Sequence, residues 1–408
     1  MCQKEGCRTP EETRRLSTSP WVLNGTTVSY CLSQTQEEHC KLQFSVQILV
    51  AVIVCNAIKC VAMFCVAWRQ RETTFVTFGD AIASWLDNPD PMTAGRCSEG
   101  VRSIARKPKG HQLPQPQPID LATYRWKHGV SRKRYLTTIL ILAVALLTSC
   151  ACLGLTLAQM ERSTSDTIIS LGFGVVNSNM LFNGGNEQGG GGLASSVLFA
   201  NMPQVVLSFV YLSLNAFVTC MLLADEYSRY EVHRRPLRVT TPVGKQRATY
   251  WLQLPYTYGL PLIATSATLH WLISQSLFLV RVETYSAGKP YESSVESGNS
   301  SSAVGLSPAP MLVVVILGTC TTAIAIGMGF RKLQRRTMPV AASCSFALAA
   351  ASHRPVGDVD AAVLPIRWGE ATEMGDADVG HCCFTSQEVV SVVPGRKYAG
   401  SMSRDKTD

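Results

Sequence analysis

Five apolar stretches, each long enough to cross a lipid bilayer, constrain this 408-residue chain more than any other feature. A hydrocarbon core of ~30 Å requires ~20 apolar residues at a rise of 1.5 Å per residue. The pattern predicts an all-α fold, a polytopic transmembrane helical bundle of about five spans. The predicted spans are residues 44–68, 135–157, 204–224, 258–280 and 311–330.

Basic residues are distributed unevenly between these stretches, and this predicts an orientation. Residues 69–134 hold twelve Lys and Arg residues, 225–257 hold six and 331–408 hold ten, whereas 158–203 and 282–310 hold one each. Basic loops stay on the cytoplasmic side of a membrane. We therefore expect the N-terminus outside and the C-terminus inside, with the +8 net charge facing anionic lipid rather than nucleic acid.

The predicted exterior segments are polar or rich in small residues. They are the N-terminal tail 1–43, the Gly-rich loop 158–203 and the Ser-rich loop 281–310, which we expect to be mobile. Pro203 is placed to open the third span, because proline is favoured in the first turn of a helix.

The predicted cytoplasmic segments are the loops 69–134 and 225–257 and the tail 331–408. In the first loop, apolar residues at helical spacing predict a short helix over 79–87 lying on the membrane surface, followed by a Pro-rich extended linker. In the tail, small apolar residues predict a short helix over 339–352. The composition of the last ~30 residues predicts disorder.

Five polar residues interrupt the spans and form a candidate intramembrane polar site: Asn56, Lys59, Asn215, His270 and Gln275. Ionisable groups within a bilayer are costly and often mark binding or relay sites. The same residues also serve to join helices through interhelical hydrogen bonds. We favour this structural interpretation, and keep a polar path lined by the first and fourth predicted spans as the alternative.

The positions of the cysteines in the predicted topology argue against a disulfide framework and against a metal site. Cys31 and Cys40 are predicted to face the oxidising side and could form a disulfide bond. Cys382 and Cys383 are predicted to face the cytoplasm, where they are candidates for acylation. Together with His381 they lack partners at zinc-ligand spacing. We therefore expect no metal site.

Sequons and catalytic motifs complete the survey. Asn24 and Asn299 lie in N-glycosylation sequons, both in segments predicted to be exterior. No serine-hydrolase elbow, zinc-protease or phosphate-loop motif is present in the sequence. We therefore expect no enzymatic activity and no cofactor.

Five motifs stand out along the chain: EHCKLQF (38–44), GDAIASWL (79–86), YWLQLPYTYGLPL (250–262), LHWLISQS (269–276) and SCS (343–345). With these motifs the chain resembles, over about residues 20–370, a family of fungal multi-pass membrane proteins of unknown function. It implies that fuller members carry a preceding N-terminal domain, also of unknown function, that this chain lacks. It implies no substrate and no catalytic residue.

These observations lead to three functional hypotheses. The first is an integral membrane protein that acts in binding or assembly, with the lipid bilayer and other membrane subunits as partners. The main rival is a transporter or channel, and a membrane enzyme ranks third. The plasma membrane and the endomembranes both remain open as the location.

Overall fold

The computed structural model divides the chain into two compact units, 1–73 and 74–408. The residues it describes are 22–23, 26–27, 46–69, 74–98, 116–119, 121, 123–163, 168, 172–175, 180–182, 190–252, 254–283, 285–286, 289–290, 300–334, 337–340, 344–372 and 378–399.

The described residues of the first unit form a two-stranded antiparallel pair and one long helix. Strands β1 (Val22–Leu23) and β2 (Thr26–Thr27) pair with each other. Helix α1 (Val46–Arg69) is almost entirely apolar, and each of its described side chains is exposed. A helix with apolar residues on all sides is typical of one that lies in lipid.

The second unit contains both long and short helices. Among the described residues, the α-helices are α2 (Phe78–Asp87), α3 (Arg132–Ser163), α4 (Gly190–Val232), α5 (Tyr256–Ser276), α6 (Pro308–Gly329) and α7 (Ser345–Ala350). Two 3₁₀ turns, Pro91–Thr93 and Trp126–Gly129, precede α3.

The strands of the second unit form several small sheets. They are β3 (Gln117–Pro118), β4 (Leu181–Phe182), β5 (Arg238–Val239), β6 (Arg247–Ala248), β7 (Leu277–Glu283), β8 (Tyr285–Ser286), β9 (Lys289–Pro290), β10 (Ser300–Leu306), β11 (Arg367–Glu370), β12 (Val379–Gly380), β13 (Cys382–Thr385) and β14 (Lys397–Tyr398). The sheet orders are β4-β10-β7, β12-β14-β3, β11-β13, β5-β6 and β8-β9. The molecule is mostly helical, and the all-α prediction is wrong in leaving out these sheets.

Four helices among the described residues are long and apolar enough to cross a membrane: Ile48–Arg69, Arg132–Glu161, Ser195–Val232 and Pro308–Gly329. They coincide with four of the five predicted spans. The remaining stretch, 258–280, does not form one continuous helix. Its helix, α5, ends at Ser276, and the last four residues belong to strand β7.

Helix α4 is much longer than a span requires. Its 43 residues extend ~65 Å, about twice the ~30 Å hydrocarbon core. It begins at Gly190, so part of the predicted Gly-rich loop is helical and Pro203 lies inside the helix rather than in its first turn. The C-terminal turns of α4 carry buried side chains on several faces of the helix, among them Phe217, Met221 and Tyr227.

The predicted cytoplasmic loops and tail fold together around this end of α4. We call this assembly the loop–tail domain, and its described residues lie within 74–98, 116–131, 233–255 and 331–399. Its core includes Trp126, Ile366, Trp368, Phe384 and Tyr398, all at most 2% exposed. Tyr227 and Tyr230 of α4 each meet the Phe384 ring edge-on at 5.7 Å. The end of the α3–α6 bundle next to this domain is called the domain end, and the other the far end.

The prediction of a disordered C-terminus is wrong for its described part. Strand β13 pairs antiparallel with β11, while β14 pairs with β12 and with β3 from the first loop. These partners are distant in sequence, and composition alone carries no sign of them. The predicted helix over 339–352 is present as α7, shorter than expected, with residues 341–343 outside the description.

Helix α2 forms at the predicted place in the sequence, but it does not have the apolar face free for a membrane surface. Its apolar face is occupied by protein, because Phe78, Ile82 and Leu86 are buried in the core of the loop–tail domain. A Cβ atom at Gly79 would collide with the carbonyl oxygen of Arg238, so glycine permits this close approach. The Pro-rich linker that follows lies largely outside the described residues.

A three-stranded sheet covers the far end of the bundle. Strand β10 pairs with β7 along seven residues and with β4 on its other side. The segment predicted to be a mobile Ser-rich loop therefore contains an ordered strand, with Ala303 and Val304 buried. The backbone N–H and C=O groups of the apolar residues in β7 form hydrogen bonds within this sheet, so the chain does not continue α5 as a helix.

An ion pair and hydrogen bonds to two glutamates hold the end of α4 within the loop–tail domain. The Arg238 guanidinium donates Nε to Glu226 Oε1 at 3.0 Å and Nη2 to Glu226 Oε2 at 2.8 Å. The Glu231 carboxylate accepts from the backbone and hydroxyl of Thr337 at 3.0 and 2.8 Å. Fork-shaped Arg–carboxylate pairs are geometrically specific. The helix register relative to the loops is set by these contacts.

Candidate functional site

A cavity of about 370 Å³ lies between helices α3, α4, α5 and α6. This volume falls within the usual range for small-molecule sites. Most of its wall is aliphatic or aromatic, with Phe199, Met202, Leu269, Ile273 and Met311 as examples. Among the residues that the structure describes, no charged side chain lines it. The chemistry of the wall therefore suits an apolar ligand.

Helical spacing brings these residues to one surface of each helix, which faces the cavity. On α4 the lining positions are 199, 202, 203, 206, 207, 210, 211 and 214, and on α5 they are 262, 265, 266, 269, 273 and 276. Steps of three and four place side chains on one face of a helix. The lining extends over ~22 Å along α4, from Phe199 to Leu214, at 1.5 Å per residue.

Some hydroxyl groups of the lining are satisfied within their own helices. The Ser149 hydroxyl donates to the Ala145 carbonyl at 2.8 Å, the Thr321 hydroxyl to Leu317 at 2.7 Å, and the Ser276 hydroxyl to Leu272 at 2.7 Å. Thr148 bonds in the same way to two carbonyls of the preceding turn. Because their protons are donated within the helix, these hydroxyls cannot donate hydrogen bonds to a ligand in the cavity.

Other hydroxyl groups retain hydrogen-bonding capacity, and they lie toward one end. Among the described residues the structure shows no hydrogen bond from the hydroxyls of Tyr211, Thr265, Ser266 and Thr322, which all line the cavity. Helix α4 runs toward the loop–tail domain, as does α6, whereas α5 starts beside it. These positions are therefore all in the half of the cavity nearer the domain end. The cavity is amphipathic, with an apolar far end.

The intramembrane polar residues predicted from the sequence do not line this cavity. His270 and Gln275 are partly buried on α5, and Asn215 is partly buried on α4, but none is among the lining residues. The Asn215 carbonyl accepts the Thr219 hydroxyl at 2.7 Å, an ordinary contact within one helix. The structure brings none of these three side chains into a common polar site.

Two further predicted site residues belong to the first unit. Asn56 and Lys59 are both exposed on α1. They are one turn apart, as expected from their spacing. Their role in a polar path stays a prediction.

The remaining predicted site residues lie outside the described part of the chain. These are the sequon residues Asn24 and Asn299 and the cysteine pair Cys31 and Cys40. Glycosylation and the disulfide bond therefore stay predictions.

The polar residues predicted from the sequence do not include the cavity hydroxyls, although the sequence contains a signal for them. Adjacent hydroxyl residues occur in three of the apolar stretches, at positions 148–149, 265–266 and 321–322. In each doublet both members line the cavity. Small hydroxyl residues favour close helix packing, and nothing in the sequence shows which of them surround a space.

The two cysteines that are candidates for acylation are not at the surface. Cys382 and Cys383 are fully buried in β13. Within the described ranges, no group of three or more His, Cys, Asp or Glu residues is arranged to hold a metal ion. Acylation at these two positions would require the loop–tail domain to open.

The helices and the cavity define a class of protein: a helical membrane protein, since four helices are long and apolar enough to cross a bilayer. The chain belongs to the family described as Domain of unknown function (DUF8419), whose family model matches residues 110–377, well over half of the sequence. Neither a curated protein nor a solved structure matches it.

Proposed function

We propose that this chain is a multi-pass integral membrane protein that binds an apolar molecule with a hydroxyl end in the cavity between α3, α4, α5 and α6. The amphipathic lining is the observation that carries the proposal. A sterol and a monoacylglycerol share the required chemistry. The role is one of binding rather than catalysis, with the surrounding lipid as the source of the ligand.

Selectivity in such a site depends on shape and hydrogen bonding. Lipid chains are as apolar as the cavity wall, so transfer from the bilayer brings little hydrophobic gain. The hydroxyls of Tyr211, Thr265, Ser266 and Thr322 provide the distinguishing contacts. A hydroxyl group of the ligand would therefore point to the domain end, and its apolar body to the far end.

The transport alternative receives no support from the cavity. A path for ions or polar solutes needs polar groups along its length. Several lining hydroxyls instead bond to their own helices, and the far half of the lining is largely aliphatic and aromatic. We therefore prefer binding, with assembly into a larger membrane unit as an additional proposal.

Photolabelling tests the binding proposal. The full chain in lipid nanodiscs would be exposed to a photoactivatable sterol in one arm and a photoactivatable monoacylglycerol in the other. We expect saturable labelling of cavity residues by one of them, competed by its unlabelled form. Labelling spread evenly over lipid-facing residues, with no competition in either arm, would contradict the proposal.

A matched pair of variants on α3 sharpens this test. Ala145 lines the cavity, whereas Ala143 is exposed and does not. Ala145→Phe fills the space and should abolish the competed labelling. Ala143→Phe adds the same ring outside and should leave it intact.

We also propose the orientation with the N-terminus outside, so that the loop–tail domain lies on the cytoplasmic side. Asn24→Gln and Asn299→Gln should each remove one glycan, seen as increased mobility on a gel. A sequon engineered into residues 99–115 should stay unmodified. Glycosylation at that engineered site would reverse the proposed orientation.

A further inference from the structure

Two short segments at the domain end of the bundle bring basic side chains together. One leads into the turn Trp126–Gly129, and the other follows the end of α6. The backbone N–H groups of Trp126 and Leu333 each donate to a carbonyl of the opposite segment, at 2.8 and 2.9 Å. These bonds place Arg125 and Lys332 directly opposite each other in an antiparallel bridge. We call the following residues the basic cluster: Arg125, Lys127, Arg331 and Lys332.

Aromatic rings position three of the four cations. Arg125 Cζ and Lys127 Nζ lie 5.7 and 5.0 Å from the centre of the Phe330 ring. Arg331 Cζ lies 4.4 Å from the centre of the Trp126 ring. A ring attracts a cation through its face and does not use up the N–H donors as a carboxylate does. The cluster is therefore ordered and keeps donors for an anion.

No carboxylate neutralises the basic cluster within the described part of the chain. None of its four cations forms an ion pair with a described Asp or Glu residue. The sequence contains no Asp or Glu at all in 121–160, 232–282 and 297–357, the segments that form α3, α5 and α6 at this end. The carboxylates at the end of α4 bind other arginines, as in the Asp225–Arg229 pair at 2.7 Å.

This excess of positive charge costs stability unless an anion from outside the chain offsets it. Arg125 and Lys332 are both exposed. Residues directly opposite in a bridge have their side chains close together, and like charges at such positions are destabilising. An anion that both cations contact reverses the sign of this contribution.

Exposed aromatic side chains indicate that the cluster lies at the depth of lipid headgroups. The Arg331 guanidinium donates Nη1 to the Tyr258 hydroxyl at 3.1 Å, so the cluster adjoins the start of α5. At this end Trp251 is 97% exposed, Phe330 48% and Tyr256 41%. Exposed Trp and Tyr side chains concentrate at the boundary between lipid and water. The anion that this position favours is a lipid headgroup.

We propose that the basic cluster binds the phosphomonoester headgroup of an anionic phospholipid, with phosphatidic acid as the simplest example. A phosphomonoester carries a charge of about −1.5 to −2 at neutral pH and offers three strong acceptor oxygens. Arginine donors match phosphate oxygens in geometry, and lysine adds a point charge. With the loop–tail domain on the cytoplasmic side, the cluster faces the leaflet that holds most anionic lipid.

This site is separate from the cavity, because no residue of the basic cluster lines the cavity. The two ligands also differ in chemistry, since the cavity has no charged lining residue among those described. Ala145→Phe, which fills the cavity, should therefore bind phosphatidic acid like the wild type. The two binding proposals can fail independently.

Native mass spectrometry of the full chain in detergent tests the proposal, with phosphatidic acid in one arm and phosphatidylserine in the other. We expect the wild type to bind phosphatidic acid more tightly than phosphatidylserine. Arg125→Gln/Lys332→Gln should weaken the binding of phosphatidic acid at least about tenfold. Lys133→Gln/Lys245→Gln removes the same charge from exposed positions outside the cluster and should leave the binding intact.

Two further measurements separate binding from folding. Without lipid, Arg125→Gln/Lys332→Gln should melt at or above the wild-type temperature, because a like-charge pair is removed. Lys332→Gln alone, whose side chain makes no ring contact with a described residue, should weaken the binding of phosphatidic acid about threefold.

Four results would overturn the proposal. Equal weakening in both double variants would show diffuse attraction by net charge, and equal affinity for both lipids would exclude a phosphomonoester site. Displacement of phosphatidic acid by an equimolar amount of glycerol 3-phosphate would point to a soluble phosphate as the ligand. A lipid-free melting temperature below that of the wild type in Arg125→Gln/Lys332→Gln would show that the cations stabilise the fold itself.

Discussion

At the scale of single residues, Asp80 connects helix α2 to the rest of the loop–tail domain. Its carboxylate accepts hydrogen bonds from the backbone and hydroxyl of Thr77 at 2.8 and 2.9 Å, and from those of Thr240 at 2.8 and 2.7 Å. Burial alone would raise the pKa of Asp80, but these bonds outweigh it and lower the pKa. One side chain therefore caps a helix and holds a distant loop.

Asp80→Asn should destabilise the loop–tail domain at neutral pH by about 1–3 kcal/mol. The amide NH₂ group of asparagine is a donor, and it would face the N–H and hydroxyl donors that now bind the carboxylate. A carboxyl whose folded pKa is lowered stabilises above its unfolded pKa, and this contribution is lost as the pH falls through the folded value. The difference from the wild type should therefore shrink below pH ~4. Thermal unfolding in detergent measures it. Asp87→Asn, at the exposed end of the same helix, should have little effect at any pH.

Tyr211 is the residue at which the proposed ligand contact is most easily isolated. Tyr211→Phe removes one hydroxyl from the cavity lining and keeps the ring. We expect binding of a hydroxylated probe to weaken about threefold relative to the same probe with its hydroxyl methylated. Competition photolabelling measures the ratio. Tyr135→Phe removes a hydroxyl from α3 outside the lining, and an equal change there would show that Tyr211 makes no specific contact.

At the scale of elements, the turn Trp126–Gly129 packs directly against the buried end of α4. A Cβ atom at Gly129 would collide with the Cβ atom of Ala224 on that helix. The turn also ends just before α3 begins. Its position therefore couples the bundle to the loop–tail domain.

Gly129→Ala should force these elements apart and cost about 1–3 kcal/mol, the usual penalty for overpacking. Gly327 is the control, because a Cβ atom there meets nothing within 4 Å and the residue is inside α6. Gly327→Ala should be neutral or slightly stabilising. Melting temperatures of the two variants give the comparison, and equal melting temperatures would contradict close packing at Gly129.

Elements differ in how far the sequence predicts them. Helices α3, α4 and α6 follow from apolar length alone, because a long apolar segment has few other stable structures in lipid. The end of α5 does not follow, since residues 277–280 are as apolar as the helix before them. They form a strand because β10 pairs with β7, and such tertiary pairing overrides local preference.

The loop–tail domain was least predictable, for the same reason. Its sheets join Lys397 to Pro118 and Arg367 to Thr385. Each strand alone is two to four residues long and carries a weak local signal. The cavity shares this difficulty, because a space between four helices depends on their mutual positions.

At the scale of the whole molecule, the second unit combines a helical bundle that holds an amphipathic cavity with a folded domain at one end. The domain encloses the end of α4, which also contributes to the cavity wall. The loop–tail domain and the cavity wall therefore share one long helix, α4. A change that loosens the domain should also weaken ligand binding, whereas filling the cavity should leave the domain intact.

The central claim is that the cavity holds one molecule with an apolar body and a hydroxyl end. Native mass spectrometry of the full chain, released from detergent in the presence of the sterol or the monoacylglycerol, measures it most directly. We predict one bound molecule per chain in the wild type and in Ala143→Phe, and none in Ala145→Phe. Equal binding in all three, or no bound molecule in any, would contradict the account.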